Sequence, residues 1–353
     1  MDRRDFLQPR QLVQSAGAML GMAGALEANL EEGQPGDVAL LRAARRAMAT
    51  NFEIILPVGT PDALAIAESV FDEIDRLEQQ LTVYRETSEV SRLNQLAADV
   101  PVPVEAGLFN LLCLAAQITE EAGGAYDIAT GALVKAWGFY KGPRRVPADE
   151  QLANALSQIG MKHVVFDRTT RTVQFLRPGL EINLGSIGKG YALDRAASLL
   201  REESHLNCAL LHGGHSSVYA IGTEPGNERG WTVGIRHPCQ PDCRLGVVRL
   251  RDRALGTSAA TFQHLDYNGR KLGHILDPRS GWPAEGMAGV TVVAPSAALA
   301  DALSTAFFIM GVDASRTYCE SHREIGAVLI SARDPAVPVV VGLTCEELTL
   351  YDV

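Results

Sequence analysis

The chain has 353 residues, about twice the length of a usual single domain, so one large domain or two tightly joined lobes are expected. Apolar residues make up 46% and charged residues 21% of it, which supplies a normal core and excludes disorder as the main state. The net charge of −10 argues against a broad nucleic-acid-binding surface, which needs concentrated Lys and Arg.

The N-terminus has the layout of an export signal. Arg3 and Arg4 are followed by an apolar pair, as in twin-arginine signals, and a mildly apolar stretch then ends in a small-x-small cleavage pattern. An N-terminal helix that is never removed is the alternative. We predict a signal peptide over residues 1–28 and a flexible linker over 29–44. The protein is then expected to be exported, either periplasmic or associated with the outer side of the inner membrane.

The spacing of apolar residues predicts helices and strands that mingle without a regular βαβ order, which favours an α+β fold. In chain order we predict the strand 52–58, the helices 61–81, 89–96 and 106–122, the strands 163–166, 172–175 and 180–184, the helix 191–201, the strands 209–211, 218–221, 231–235, 246–250 and 289–293, the helix 298–310 and the strand 326–330.

Two of the six cysteines, Cys239 and Cys243, lie close together in the sequence. They are expected to form a loop disulfide in an exported protein, or half of a metal site. Because no second pair or histidine cluster completes four zinc ligands, the loop pair is the favoured interpretation.

A glycine-rich loop lies between a predicted strand and a predicted helix, and it carries Lys189. Glycines let backbone N–H groups approach an anion, and a helix N-terminus adds partial positive charge. The loop matches neither a Walker A sequence nor a G-x-G-x-x-G fingerprint. A phosphate cradle and a purely structural turn both explain it.

Asp301 and Thr305 are four residues apart near the start of a predicted helix, so they share one face. A carboxylate and a hydroxyl in this arrangement suit a hard cation such as Mg²⁺. A purely structural role, helix capping by Asp301, is the alternative.

Two further segments are candidates for chemistry. His274 lies just before a tight turn that starts at Asp277, and either side chain could handle a proton. Tyr126, Trp137 and Phe139 lie beside a glycine hinge and could sandwich a flat ring, although core packing explains them equally well.

In their order and spacing these motifs resemble the ApbE family, the FAD:protein FMN transferases. The resemblance covers about residues 45–312, so the catalytic domain is expected to span 45–353. The matching segments are Met48–Thr50, Leu81–Tyr84 to Asn94, Tyr126–Ile128, Trp137–Phe139, Leu184–Tyr191 with Asp194, Gly213–Gly214, Thr257–Ser258, His274–Gly281 and Asp301–Thr305.

The resemblance implies a single α+β domain of two closely joined lobes, with a flavin cleft between them. It also implies an activity, the Mg²⁺-dependent transfer of FMN from FAD to a Ser or Thr hydroxyl of a partner protein, with release of AMP. Respiratory membrane complexes or other extracytoplasmic flavoproteins are the implied acceptors. In this sequence the implied metal ligands are Ser186, Asp301 and Thr305, the implied proton acceptor is His274, and the implied FAD-pocket residues are Met48, Tyr84, Ala125, Tyr126, Asp127, Asn183 and Lys189.

The sequence departs from the family pattern at four positions. Asn183 and Ser304 stand where many or some relatives have an acid, His215 replaces the aspartate of Gly-Gly-Asp, and Ala259 replaces a frequent glycine. Two other functions therefore stay open: an FAD pyrophosphatase that yields free FMN and AMP, and a non-catalytic FAD-binding protein. Self-modification at Thr130 is a weaker hypothesis, because its segment already fits the flavin-pocket motif.

Overall fold

The computed structural model of the protein describes residues 39–240, 242–259, 264–267 and 269–351. The predicted signal peptide (1–28) and residues 29–38 of the predicted linker lie outside the described residues. The predicted linker extends too far, because strand β1 (Leu40–Ala47) begins at Leu40 and residues 40–44 belong to it. These residues are ordered by a hairpin with the next strand, Thr50–Pro57, which a mixed run of leucine, alanine and arginine does not predict.

The described residues contain seven α-helices, and the predicted helices are all among them. The helices at 131–136 and 149–157 were not predicted. The helices are α1 (Ala63–Leu81), α2 (Glu89–Leu96), α3 (Ala106–Glu121), α4 (Gly131–Ala136), α5 (Asp149–Ser157), α6 (Gly188–Glu202) and α7 (Ala297–Ser321).

An eight-stranded, fully antiparallel sheet forms the centre of the fold, in the order β1-β2-β6-β7-β10-β13-β14-β15. Its strands are β1 (Leu40–Ala47), β2 (Thr50–Pro57), β6 (Ala209–Gly213), β7 (Ser217–Ile221), β10 (Ala254–Ala259), β13 (Met287–Ala294), β14 (Gly326–Ser331) and β15 (Val339–Val341).

Three smaller sheets complete the described part of the chain. They are β3-β5-β4, the hairpin β11-β12, and β16-β9-β8. Their strands are β3 (Val102–Pro103), β4 (Val164–Asp167), β5 (Thr172–Phe175), β8 (Trp231–Arg236), β9 (Arg244–Leu250), β11 (His264–Tyr267), β12 (Arg270–Gly273) and β16 (Leu348–Leu350).

The large sheet buries both of its faces, because successive side chains of a strand point to opposite sides. In β2, Ile54 joins the main core with α1, α3, α6 and α7, whereas Ile55 joins a second core with the sheet β16-β9-β8. A third apolar cluster packs α4 and α5 around Trp137 and Leu272. The described residues form one compact unit, and their mixture of helices and antiparallel strands confirms the α+β prediction.

Two details of the predicted elements are wrong. Residues 180–184 form no strand, because Asn94 binds both backbone groups of Ile182 and the neighbouring groups pair with Ile128 and Gly131. Leu64, predicted on the buried face of the first helix, is 68% exposed. It lies in the first turn of α1, before the helix meets the core.

Helix α7 is longer than predicted, and Gly311 breaks its regular geometry with φ 79° and ψ −177°. By length and composition it is the one described helix that could cross a membrane, but 56% of its most apolar window is buried inside the protein. Packing in the core therefore accounts for its apolar character.

Cys239 and Cys243 were expected to form a loop disulfide, but in the structure both are free thiols.

Candidate active site

A cleft of about 840 Å³ lies where one end of the large sheet meets α7, the glycine-rich loop and the small cluster around α4. Its volume is in the range of small-molecule and cofactor pockets. Its lining residues include Ala49, Thr50, Tyr84, Ala125, Tyr126, Asp127, Asn183, Ser186, Lys189, His215, Ser258, His274, Asp301, Ser304 and Thr305.

The glycine-rich loop presents Ser186 and Lys189 to this cleft at the start of α6. Its geometry is fixed locally, because the Asn183 side chain accepts a hydrogen bond from Gly185 N at 2.9 Å. Gly190 is required by packing, since a Cβ there would lie 2.1 Å from the carbonyl oxygen of Ala297. The loop therefore holds a lysine and a helix N-terminus directly against α7.

Asp301 is the acid at the bottom of the cleft, and it is only 5% exposed. Its carboxylate accepts hydrogen bonds from Gly190 N at 2.9 Å and from the Ser217 hydroxyl at 2.7 and 2.9 Å. Lys189 Nζ lies 4.0 Å away. Burial raises the pKa of Asp301, and the nearby lysine, hydroxyl and amide offset this only in part. A cation beside this carboxylate would offset the free-energy cost of burying its negative charge.

Several hydroxyl groups line the same cleft as the Asp301 carboxylate. Ser258 Oγ lies 2.8 Å from Ser304 Oγ and 3.3 Å from Thr305 Oγ1, and Ser186 Oγ lies 3.4 Å from the Tyr126 hydroxyl. No described group of three or more His, Cys, Asp or Glu side chains could hold a metal ion. One carboxylate with hydroxyl oxygens is a donor set for a hard, oxygen-liking cation, so the residues fit Mg²⁺ better than zinc.

The carboxylate of Asp127 is held by hydrogen bonds from the backbone. Its oxygens accept hydrogen bonds from Ala129 N at 2.7 Å and Met161 N at 2.9 Å. Burial raises its pKa, and these two amides lower it only in part. Asp127 lines the cleft, but its carboxylate fixes the turn that presents Ala125 and Tyr126. Burial also raises the pKa of Tyr126.

An aromatic pair stands at the mouth of the cleft. Tyr84 is 57% exposed, and its ring stacks on that of Tyr140 with centroids 5.0 Å apart and planes 6° apart. The Tyr140 hydroxyl donates to Val83 O at 2.7 Å, which holds the pair in place. Trp137, in contrast, is buried and donates to Gly281 O, so it belongs to the core.

Met48 was predicted as an FAD-pocket residue, but it does not line the cleft in the structure. It packs against the main core, and it is its neighbours Ala49 and Thr50 that line the cleft. Met48 and Ala49 form the two-residue turn between β1 and β2, with φ values of 48° and 60°. This left-handed geometry turns the following residues toward the cleft, and it is normally made by Asn and Gly.

Two histidines line the cleft, and the sequence predicted one of them, His274, as a proton acceptor. His274 follows directly after β12. Asp277, its predicted alternative, forms hydrogen bonds of 2.9 and 2.8 Å with the Arg279 guanidinium and does not line the cleft. The other histidine is His215, whose pKa is lowered by burial. Its only sequence signal was its place in the Gly-Gly motif.

Asp194 joins the two helices of the site from behind. Its carboxylate accepts hydrogen bonds from Ala297 N at 2.6 Å and Ala298 N at 2.9 Å, at the first turn of α7. Burial raises its pKa to about 7, with a further contribution from the charge of Asp301. Asp194 therefore fixes the helix on which Asp301 lies, without lining the cleft itself.

Comparison with known proteins places the chain among flavin transferases. The family model for the ApbE family matches residues 48–329. The FAD:protein FMN transferase of Treponema pallidum is 33% identical over 278 residues, which are 75% of this chain and 75% of the relative. The one from Klebsiella pneumoniae is 30% identical over 269 residues, with 76% and 82% covered. The crystal structure of the ApbE protein from Thermotoga maritima matches with a TM-score of 0.78 at 28% identity, over 86% of this chain and 97% of that one.

Proposed function

Because the chain belongs to the ApbE family, we propose that it cleaves FAD and transfers FMN to a Ser or Thr hydroxyl of an acceptor protein, releasing AMP. The observation that carries the proposal is the meeting of Lys189, Asp301 and His274 in one cleft. Phosphoryl transfer depends mainly on positioning and charge neutralisation, and this cleft supplies a cation, a helix N-terminus and a buried acid for that purpose.

We propose that Ser186, Asp301 and Thr305 hold Mg²⁺ in the cleft. The support is their oxygen-only chemistry and the desolvated carboxylate of Asp301. When bound there, Mg²⁺ supplies positive charge to the pyrophosphate oxygens. Ser217 keeps the Asp301 carboxylate oriented by donating to both of its oxygens.

The remaining residues would bind and orient FAD. Lys189 and the N-terminus of α6 face the phosphates, and Tyr84 offers its exposed ring to the isoalloxazine. Asn183 lines the same pocket. With the flavin and phosphate ends held separately, the FMN phosphorus is exposed to an incoming hydroxyl.

His274 is the proposed proton acceptor. The acceptor hydroxyl oxygen forms a bond to the FMN phosphorus, and the bond from that phosphorus to the bridging oxygen breaks. The bridging oxygen leaves with AMP, while the hydroxyl proton passes to the imidazole of His274. If water attacks instead, the same residues yield free FMN and AMP, which is the pyrophosphatase alternative.

The test is AMP release from FAD by the purified protein, with Mg²⁺ or EDTA, with and without a threonine-containing acceptor protein. Mg²⁺-dependent AMP together with FMN mass on the acceptor is the expected result. AMP with only free FMN would favour the pyrophosphatase, and FAD binding without AMP would favour the non-catalytic binder.

The matched variants lie on one helix. Asp301→Ala and Asp301→Asn should abolish AMP release, whereas Asp313→Ala, at an exposed position of α7, should not. Unchanged AMP release in both Asp301 variants would contradict the proposed metal site. Circular dichroism of each variant separates loss of the site from loss of the fold.

We further propose that the acceptor is met outside the cytoplasm. The support is the twin-arginine pattern of residues 1–28. Fractionation of cells that express the full chain, with and without Arg3 and Arg4 replaced by lysine, tests this. Equal recovery of both forms in the cytoplasm would contradict it.

A further inference from the structure

A run of basic residues lies next to the mouth of the cleft. Between Ile128 and Ala148 the chain carries four cations and no acid, although its net charge is −10. The four are Lys135, Lys141, Arg144 and Arg145. We call them the basic rim. A local excess of one sign in a chain of the opposite sign is typical of a surface that orients a charged partner.

Contacts with aromatic rings place the rim at the mouth. Lys135 Nζ and Lys141 Nζ lie 5.3 and 5.2 Å from the ring centre of Tyr140, which stacks on Tyr84. The guanidinium carbon of Arg144 lies 5.9 Å from the ring centre of Phe139. Because Tyr84 and Phe139 line the cleft, these three cations lie beside its opening.

The backbone of the rim is fixed. Gly138 N and Phe139 N donate to the end of α4, and Arg145 N donates to Trp137 O at 3.1 Å. A Cβ at Gly138 would lie 2.3 Å from Pro143 O, so the two arms of the loop touch each other. The charges are therefore presented on a closed loop and keep a defined place beside the cleft.

The cations of the rim do not line the cleft. Lys135 is paired with Glu181 at 2.5 Å, but Lys141 and Arg145 are exposed and have no ion-pair partner among the described residues. A ligand enclosed in the cleft would not meet them. They would meet a molecule that reaches into the cleft from outside and extends across its edge.

We propose that the basic rim docks an acidic segment of the acceptor protein next to the hydroxyl that receives FMN. This inference rests on the proposed function, because only a protein acceptor would extend from the cleft across the rim. Rim charges act mainly on the rate of encounter and on orientation, so the docking is expected to depend on salt.

The test uses two fluorescein-labelled peptides of equal length, each with one central threonine. Aspartates flank the threonine in one peptide, and asparagines replace them in the other. Binding to the full-length protein, loaded with FAD and Mg²⁺, is followed by fluorescence polarisation. The acidic peptide should bind more tightly, and the difference should vanish at high salt.

The paired variants separate the rim from net charge. Lys141→Glu with Arg145→Glu should weaken binding of the acidic peptide roughly tenfold, as expected when two exposed attractions become repulsions. Arg168→Glu with Arg177→Glu changes the net charge equally at exposed positions of the β4–β5 region and should not weaken it.

Three results would overturn the proposal: equal affinity for both peptides, equal weakening by both double variants, or a weaker FAD affinity in the rim variant that accounts for the whole effect. Absence of AMP release in the wild-type protein together with rim-dependent peptide binding would contradict the proposed function alone. Normal transfer without rim-dependent binding would contradict the docking surface alone.

Discussion

The buried carboxyl of Asp194 leads to a quantitative prediction about stability. Its pKa is raised from the ordinary 3.8 to about 7, chiefly because it is buried, while its bonds to Ala297 N and Ala298 N lower it in part. In the unfolded chain the group regains its ordinary pKa. Folding therefore makes this side chain a much weaker acid.

The sign of the pH effect follows from proton counting. Between about pH 4 and pH 7 the folded protein binds more protons at this site than the unfolded chain, so stability falls as pH rises. The contribution of Asp194 is fully present below pH 3.8 and is lost as pH rises through about 7. With 1.36 kcal/mol for each unit of pKa difference, the loss between about pH 5 and pH 8 is about 2–3 kcal/mol.

Urea unfolding in EDTA, followed by tryptophan fluorescence, measures this effect. Asp194→Asn cannot titrate, so from about pH 5 to pH 8 its free energy of unfolding should rise by about 2–3 kcal/mol relative to wild type. Asp334→Asn, at an exposed loop position, should follow the wild-type profile. Parallel pH profiles for wild type and Asp194→Asn would refute the raised pKa and the reasoning from burial.

Three further predictions concern the site and its supports. Gly256→Ala would place a Cβ 2.4 Å from the carbonyl carbon of Ala300; it should lower the free energy of unfolding by about 1–3 kcal/mol and weaken activation by Mg²⁺. Gly234→Ala, whose Cβ would meet only a flexible arginine at 3.6 Å, is the control, and equal losses in both would contradict the close approach. Ala49→Gly should raise the melting temperature through a stabilisation of about 1 kcal/mol, because Ala49 has φ 60°; an unchanged or lower melting temperature would show that the turn is unstrained. Tyr84→Ala should raise the Kd for FAD about 3–10-fold in a flavin fluorescence titration, since an aromatic stack is worth about 0.5–1.5 kcal/mol; an unchanged Kd would exclude stacking there.

Regular elements with a clear apolar period could be predicted from the sequence, and β10 shows why others could not. The sequence of β10, Ala254–Ala259, has one β-branched residue, Thr257, and no aromatic residue, so it carries little of the composition that marks strands. It is nevertheless paired on both edges, and Gly256 in its middle lies under α7. Small residues are needed there for close packing, so the packing itself removes the strand signal.

The candidate site also contains residues that the sequence could predict and residues that it could not. Motifs that are compact in sequence, such as Asp301 with Thr305, could be found from their spacing. The hydroxyl that holds Asp301 comes from Ser217, 84 positions away, and no local pattern indicates such a pair. Asp127, a predicted FAD-pocket residue, lines the cleft, but its carboxylate accepts hydrogen bonds from two backbone amides, which the sequence did not indicate. Sequence spacing shows which residues are near one another, not which way they point.

The strand order of the large sheet also limits how the protein can be synthesised. β2 ends at Pro57 and its inner neighbour β6 begins at Ala209, so 152 positions separate the two partners (209 − 57 = 152). At roughly 5–20 residues per second, the ribosome needs about 8–30 s to supply the second strand. During that time the inner edge of the β1–β2 hairpin has no native partner and is open to wrong pairing. The site itself is completed later still, because Asp301 lies on α7, which emerges after β1, β2 and β6.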